Sequence, residues 1–226
     1  MSSSSASGHT SRGAATPHNT PIVFVVDDDV SVRESLEPLI RRAGWKPETF
    51  SSARDFLSRI RDETPSCLVL DVELPDLNGL EVQERVAANR TEMPIIFITG
   101  HGDIPMSVRA MKAGAAEFLT KPFERDVLLA AIRRAIERSR VALVQASELK
   151  LLNQRYASLT PREREVLVWV VSGLLNKQVG AELSMTEATV KAHRGQVMQK
   201  MKTDSLADLV RIAARLELPL PSRPSG

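Results

Sequence analysis

The sequence predicts two folding units: an α/β domain on a buried, doubly wound parallel sheet, then a small all-α domain, with a long helix between them. Three observations carry this. In the first half, short β-branched apolar runs each end in a polar or charged residue. From Glu124 to Tyr156 no Pro or Gly interrupts a helical pattern. After Ser158 a helix-start signal opens a series of short helices around a tight turn. A chain of 226 residues has room for one large or two small domains. With 42% hydrophobic and 26% charged residues its composition is that of an ordinary soluble globular protein. No apolar stretch approaches the roughly 20 residues of a membrane span, so no membrane partner is expected.

Residues 1–20 are rich in Ser, Thr, Gly and Ala and lack the apolar core of a signal peptide, so they read as a disordered tail in which His9 and His18 are inert. Four apolar runs follow. Ile22 to Val26 precedes Asp27-Asp28-Asp29, Cys67 to Leu70 precedes Asp71, Ile95 to Ile98 precedes Thr99, and Ala116 to Thr120 precedes Lys121. Such runs are strands buried on both faces of a parallel sheet. Ligands of open α/β sheets bind just outside the carboxyl ends of the strands, which is where all four runs deliver their polar residue. Pro38 falls inside the first helix, where it removes one backbone hydrogen bond at a cost of up to about 3 kcal/mol. Cys67 lies within a strand run, so it reads as a core filler, and a single cysteine allows no internal disulfide. That usage fits a reducing cytoplasm.

The residue types at the strand ends describe a magnesium-dependent phosphate site. Magnesium takes a near-octahedral shell of hard oxygens from one or two carboxylates, waters and a phosphate. Asp28 and Asp71 can be direct ligands, Asp27 can act through water, and a main-chain carbonyl just past Asp71 can complete the protein share. A carboxylate can also act as nucleophile and form an aspartyl-phosphate. Lys121 offers a point charge to the phosphoryl oxygens, Thr99 a hydroxyl donor, and Gly100 leaves room beside them. Asp29 alone fits a helix cap.

Residues 21 to about 140, through VVDDD, LDVELPDLNG, ITGHGD and FLTKPF, resemble a response-regulator receiver domain, and the last two motifs resemble the FixJ and NodW branch in particular. The resemblance implies a five-stranded, flavodoxin-like parallel sheet. It implies Asp71 as phosphoacceptor, Asp27 and Asp28 as the acidic pair, and magnesium bound by Asp27, Asp28, Asp71 and the Glu73 main-chain carbonyl. Thr99 would be the switch hydroxyl and Phe118 the switch aromatic. Lys121 would be the charge partner of the phosphoryl group, with a cis bond into Pro122. His101 and the Glu73 side chain are candidates for tuning hydrolysis of the aspartyl-phosphate. The implied partners are a sensor histidine kinase and, on phosphorylation, a second copy docked through the fourth helix and fifth strand, with Met106, Val108, Arg109, Met111 and Lys112 on that surface.

Charge divides the chain. Residues 1–124 carry 13 Lys+Arg against 18 Asp+Glu, residues 125–156 carry 7 against 3, and residues 157–226 carry 10 against 7. An acidic front and a basic back place any polyanion on the back. Between them, Val127, Leu128, Ala131, Ile132, Ala135 and Ile136 recur at helical spacing. A helix over all 33 residues would span about 50 Å, so its first part closes the receiver at 138 and residues 139–157 form a helical linker.

The second domain is expected over 158–222 and to fold alone. Thr160, Pro161 and Glu163 make a capping box with Pro at the first helical position. A helix through Val166, Leu167, Trp169 and Val170 stops at Gly173. Two more, Asn176 to Leu183 and Glu187 to Met201, flank a turn at Ser184-Met185-Thr186, and a last helix spans Ser205 to Leu216. This is a helix-turn-helix plan whose second helix enters the major groove. Thr186 caps that helix, Val190, Val197 and Met201 form its inner stripe, and Lys191, Ala192, Arg194, Gly195, Gln199 and Lys202 lie on or near its outer face. Trp45 and Trp169 read as packing residues.

The string from Leu159 to Met201 resembles the LuxR-type helix-turn-helix of FixJ and NarL relatives. The DNA-contacting set it implies is Lys177, Thr186, Glu187, Lys191, Ala192, His193, Arg194, Gln196 and Lys200, with Lys191 reaching base edges or phosphate. Gly195 stands where many members carry a basic or polar side chain, and Ser184 holds a turn position where Gly is usual, at a cost of about 1 kcal/mol if left-handed. Together the motifs describe a cytoplasmic two-component regulator, not an enzyme, that accepts phosphate on Asp71 and binds promoter DNA, with RNA polymerase as a further partner. Two other readings remain open on the sequence. A phosphatase of the haloacid dehalogenase type would place nucleophile and acid two apart after the first strand and need a cap segment. A receiver acting through protein contacts alone would bind no DNA.

Overall fold

The computed structural model of the chain describes residues 20–59, 63–89, 93–100 and 104–221. The tail to Asn19, His9, His18 and His101 lie outside the described residues. By internal contacts the chain divides between Leu143 and Val144.

The first unit alternates strand and helix: β1 (Ile22–Val26), α1 (Val30–Arg42), β2 (Lys46–Phe50), α2 (Ala53–Ser58), β3 (Ser66–Asp71), α3 (Gly79–Asn89), β4 (Ile95–Thr99), α4 (Ile104–Lys112), β5 (Glu117–Thr120), and the start of α5 (Arg125–Ala157). All strands are parallel, in the order β2-β1-β3-β4-β5. Residues of β1, β3 and β4 alternate between two cores, as a period of two requires. Phe24, Val26, Leu68, Leu70 and Phe97 face α2, α3 and α4, where they meet Phe56, Val82, Val86 and Ala110. Val23, Val25, Cys67, Val69, Ile96 and Ile98 face α1 and α5, against Leu36, Ile40, Leu128 and Ile132. Trp45 packs at the margin of this second core. Cys67 is buried there, and desolvation pushes its thiol pKa far up, which keeps it protonated and inert. Strand order reverses between β1 and β3, so the crevice opens where Asp27 and Asp71 end their strands.

β2 has no apolar run. Its sequence, KPETF, is only half-buried, and Pro47 is tolerated because the strand pairs on one side alone. α1 keeps Pro38 in its interior, and its N-cap is Asp29, whose side chain accepts from the Ser31 amide at 2.8 Å.

The second unit contains the end of α5, then α6 (Pro161–Val171), α7 (Asn176–Leu183), α8 (Glu187–Met201) and α9 (Leu206–Arg215). The capping box forms: Thr160 N–H donates to Glu163 Oε2 at 2.8 Å, and Glu163 N–H to Thr160 Oγ1 at 3.3 Å. Val166, Leu167, Val170, Val179, Val190, Val197, Met201 and Leu209 build the core, with Trp169 at its edge. Ser184 is left-handed at φ 53°, and Thr186 caps α8. Gly180 is needed by close approach: a Cβ there would lie 2.6 Å from the Met185 carbonyl oxygen.

The structural division differs from a boundary at Ser158. Leu152 is buried, and Tyr156 packs against the second core. Arg155 donates to the Met201 carbonyl at 3.4 Å, Arg164 to the Ala157 carbonyl at 2.9 Å, and Glu148 pairs with Arg215 at 2.9 Å. The last turns of α5 are therefore part of the C-terminal fold. The apolar spacing of these turns is too sparse to announce it.

Candidate functional site

Parallel pairing aligns the strand ends and brings the polar residues after them together. Asp27 follows β1 and is fully buried; Asp71 ends β3 and is buried. Lys121, just past β5, donates from Nζ to Asp27 Oδ2 at 2.7 Å and to Asp71 Oδ2 at 2.6 Å. The Lys121 amide in turn donates to the Thr99 carbonyl at 2.7 Å, so the ends of β4 and β5 are joined through backbone. The Lys121–Pro122 bond is cis. The other oxygens of the two acids are held locally: Asp29 N–H donates to Asp27 Oδ1 at 2.9 Å, and Glu73 N–H to Asp71 Oδ1 at 3.0 Å.

Burial raises the Asp27 pKa above its ordinary value, an effect that the bonds from Lys121 and the Asp29 amide only partly offset. Burial works to lower the Lys121 pKa, but the bonds to Asp27 and Asp71 outweigh it and the net direction is upward. Lys121 is thus a cation throughout the physiological range. Asp28 is exposed beside the pair, and one carboxylate oxygen from each of Asp27, Asp28 and Asp71 falls within 4.8 Å of the others. Three carboxylates and one ammonium leave an excess of negative charge and an all-oxygen donor set, which fits a hard divalent cation.

Thr99 is fully buried at the end of β4. Phe118 is half-buried and meets Phe97 with ring centroids 6.3 Å apart. A Cβ at Gly100 would meet nothing within 4 Å among the described residues. Gly79 is different: a Cβ would come within 2.9 Å of Val72 Cα and 3.0 Å of the Asp71 carbonyl oxygen, so the start of α3 packs directly on the backbone that follows β3. Sequence reading also passed over Arg33. It donates to the carbonyls of Asp27 at 2.6 Å and Asp28 at 2.8 Å, holding the acidic pair from the first turn of α1. An arginine one turn into a helix that follows an acidic triplet is the signal that would have found it.

In the second unit, Lys191, Ala192, Gly195 and Gln196 lie exposed on α8, with Thr186 and Glu187 exposed at its start and Lys177 on α7. His193 and Arg194 are half-buried, and Arg194 donates to Asn176 Oδ1 at 3.3 Å. Lys200, expected on the DNA face, instead bonds both carboxylate oxygens of Glu163, at 2.9 and 2.7 Å. The long Lys200 side chain reaches across to α6, where a buried carboxylate needs a partner.

Comparison with known proteins agrees with this geometry. Residues 23–133 match the response regulator receiver domain, and residues 157–213 match the bacterial regulatory proteins of the luxR family. Nodulation protein W of Bradyrhizobium diazoefficiens is 49% identical over 206 residues, which are 91% of this chain and 91% of that protein. Transcriptional regulatory protein FixJ of the same organism is 40% identical over 193 residues, 85% of this chain and 94% of that one. Among solved structures, response regulator StyR superimposes with a TM-score of 0.76 at 49% identity, covering 87% of this chain and all of that one. Full-length FixJ from B. japonicum gives 0.52 at 39% identity, covering 88% and 98%.

Proposed function

The chain belongs to the response regulators of the FixJ and NarL type, with a receiver and a LuxR-type DNA-binding domain, and from that premise we propose that Asp71 accepts a phosphoryl group that gates DNA binding through α8. The observation that supports it most is Lys121, whose ammonium joins Asp27 to Asp71 beside a third carboxylate. The donor is a sensor histidine kinase. Asp71 attacks phosphorus, the bond from phosphorus to the donor's imidazole nitrogen breaks, and the imidazole leaves. Asp28 and Asp71 would hold magnesium directly, Asp27 through water, and Glu73 through its main-chain carbonyl, and the ion would supply positive charge to offset that of the transferring group.

One Asp71 oxygen must be released for attack. The Lys121 bond is the exchangeable one, because Lys121 keeps Asp27 as partner while its other donors turn to the phosphoryl oxygens. The new dianion draws the Thr99 hydroxyl toward it, Phe118 follows inward, and the surface of α4 and β5 changes shape. A second copy docks there, bringing two α8 helices to a two-fold DNA site in the cytoplasm. Lys177, Lys191, His193 and Arg194 meet DNA, with Thr186, Glu187, Ala192 and Gln196 beside them, and RNA polymerase is the downstream partner. Lys200 contributes only if DNA displaces Glu163.

The phosphatase reading is not favoured, since the two family matches and the similar regulators account for both halves of the chain. Acetyl phosphate with magnesium should label the wild type once and leave Asp71→Asn unlabelled, and labelling should sharpen binding to one recovered DNA sequence. Wild-type labelling of Asp71→Asn would reject the acceptor, and DNA binding indifferent to label would reject the gate.

A further inference from the structure

The loop that follows the acceptor strand is anchored from outside the site. Asp76 accepts from the Ala53 amide on Oδ1 at 3.3 Å and from the Arg54 amide on Oδ2 at 3.0 Å. These are the first two helical residues of α2, whose amides have no partner inside the helix. The third, Asp55, donates to Ser52 Oγ at 3.1 Å. One turn is thus capped by a local residue and by a carboxylate more than 20 positions further along. Burial acts to raise the Asp76 pKa, yet the two amide bonds prevail and hold it below the ordinary range.

The two ends of this attachment both lead back to the acidic pocket. Phe50, which precedes α2, accepts from the Asp27 amide at 3.2 Å. On the other side, Glu73 bridges to Asn78, and the Gly79 amide donates to the Val72 carbonyl at 3.0 Å, so residues 72–79 form a closed loop with Asp76 in its middle. Glu73 in that loop donates to Asp71, Asp71 accepts from Lys121, and Lys121 returns to Asp27. The bonds close a ring around the pocket. Asp76 is the side chain in it that reaches from the acceptor loop to α2.

Magnesium demands near-ideal octahedral geometry, with ligands at about 2.0–2.1 Å. A carboxylate can meet that demand by rotating its side chain. A main-chain carbonyl cannot, because moving it moves the loop. Of the proposed ligands, the Glu73 carbonyl therefore depends most on how the loop is held.

We infer that Asp76 is a positioning residue that pins the loop to α2 and so sets the place of the Glu73 carbonyl for the divalent cation. This rests on the metal reading proposed above. Magnesium chloride is titrated into the full-length protein by calorimetry, with melting of the metal-free proteins alongside. Asp76→Ala should weaken magnesium affinity by about tenfold or more, as loss of an outer support does, whereas Ser52→Ala, which uncaps α2 but leaves the loop, should lower the melting midpoint and keep affinity within about twofold. Asp76→Asn, with one amide oxygen for two donors, should fall between wild type and Asp76→Ala, and it decides the matter by the same criterion if Asp76→Ala does not fold. Wild-type affinity in both Asp76 variants, or an equal loss in Ser52→Ala, would overturn the positioning role while leaving the metal site in place. A wild type that binds no magnesium would overturn the metal reading and this inference with it.

Discussion

Cutting the chain at Ser158 instead of at Val144 should cost the C-terminal fragment most of its stability. The 14 removed residues include Leu152, at 7% exposure, and the half-buried Tyr156. Burying a leucine side chain is worth about 1.5–3 kcal/mol, and a partly buried tyrosine about half of that. Arg164 lies 5.2 Å from the Tyr156 ring centroid, a cation–π contact worth about 0.5–1 kcal/mol. The bonds from Arg155 to Met201 and from Arg164 to Ala157 add about 0.5–1.5 kcal/mol each. The exposed Glu148–Arg215 pair adds little. The total is about 4–8 kcal/mol, against about 4–12 kcal/mol expected for a domain of this length. Circular dichroism melting of fragments 144–226 and 158–226 should separate their midpoints by at least about 15 °C, or find the shorter one unfolded at 25 °C. In the longer fragment, Leu152→Ala alone should cost about 2–3 kcal/mol. Coincident midpoints for the two fragments would refute the assignment of the last turns of α5 to the C-terminal fold.

On the proposed roles, in which both act after transfer, Thr99→Ala and Lys121→Ala should still accept phosphate but dimerise poorly by sedimentation, because a state is favoured only by differential contacts; dimerisation equal to phosphorylated wild type would remove the switch role. Lys191→Ala in fragment 144–226 should weaken DNA binding, with discrimination at one base pair falling by about 1–3 kcal/mol if it reads a base edge. A uniform loss with a shallower salt slope would mark a phosphate contact instead, and no change in affinity, preference or slope would discharge α8 as the reader. The Lys200 bond holds the Glu163 carboxyl below its ordinary pKa. The stability it contributes is therefore full above about pH 4.5 and is lost as pH falls through the depressed folded value. Urea unfolding of fragment 144–226 should show that acid-side loss, and Glu163→Gln should flatten it; identical pH profiles would show that the pair contributes nothing.

What the sequence determined by itself was whatever local pattern encodes. Asp27, Asp71, Thr99 and Lys121 were legible because buried parallel strands read as apolar runs, and topology sends all their carboxyl ends to one crevice. Thr160, Glu163, Ser184 and Thr186 were legible because caps and turns are written within three or four residues. Tertiary structure alone decided the rest. β2 is a strand because β1 offers it an edge, not because KPETF carries an apolar run. Asp76 finds α2 across 22 positions, Lys200 finds Glu163 across 37, and Arg155 finds Met201 across 46. Each of these polar groups has a choice of partners in the unfolded chain. Which one it takes depends on the donor or acceptor that packing brings within 3.5 Å, and no local period records that.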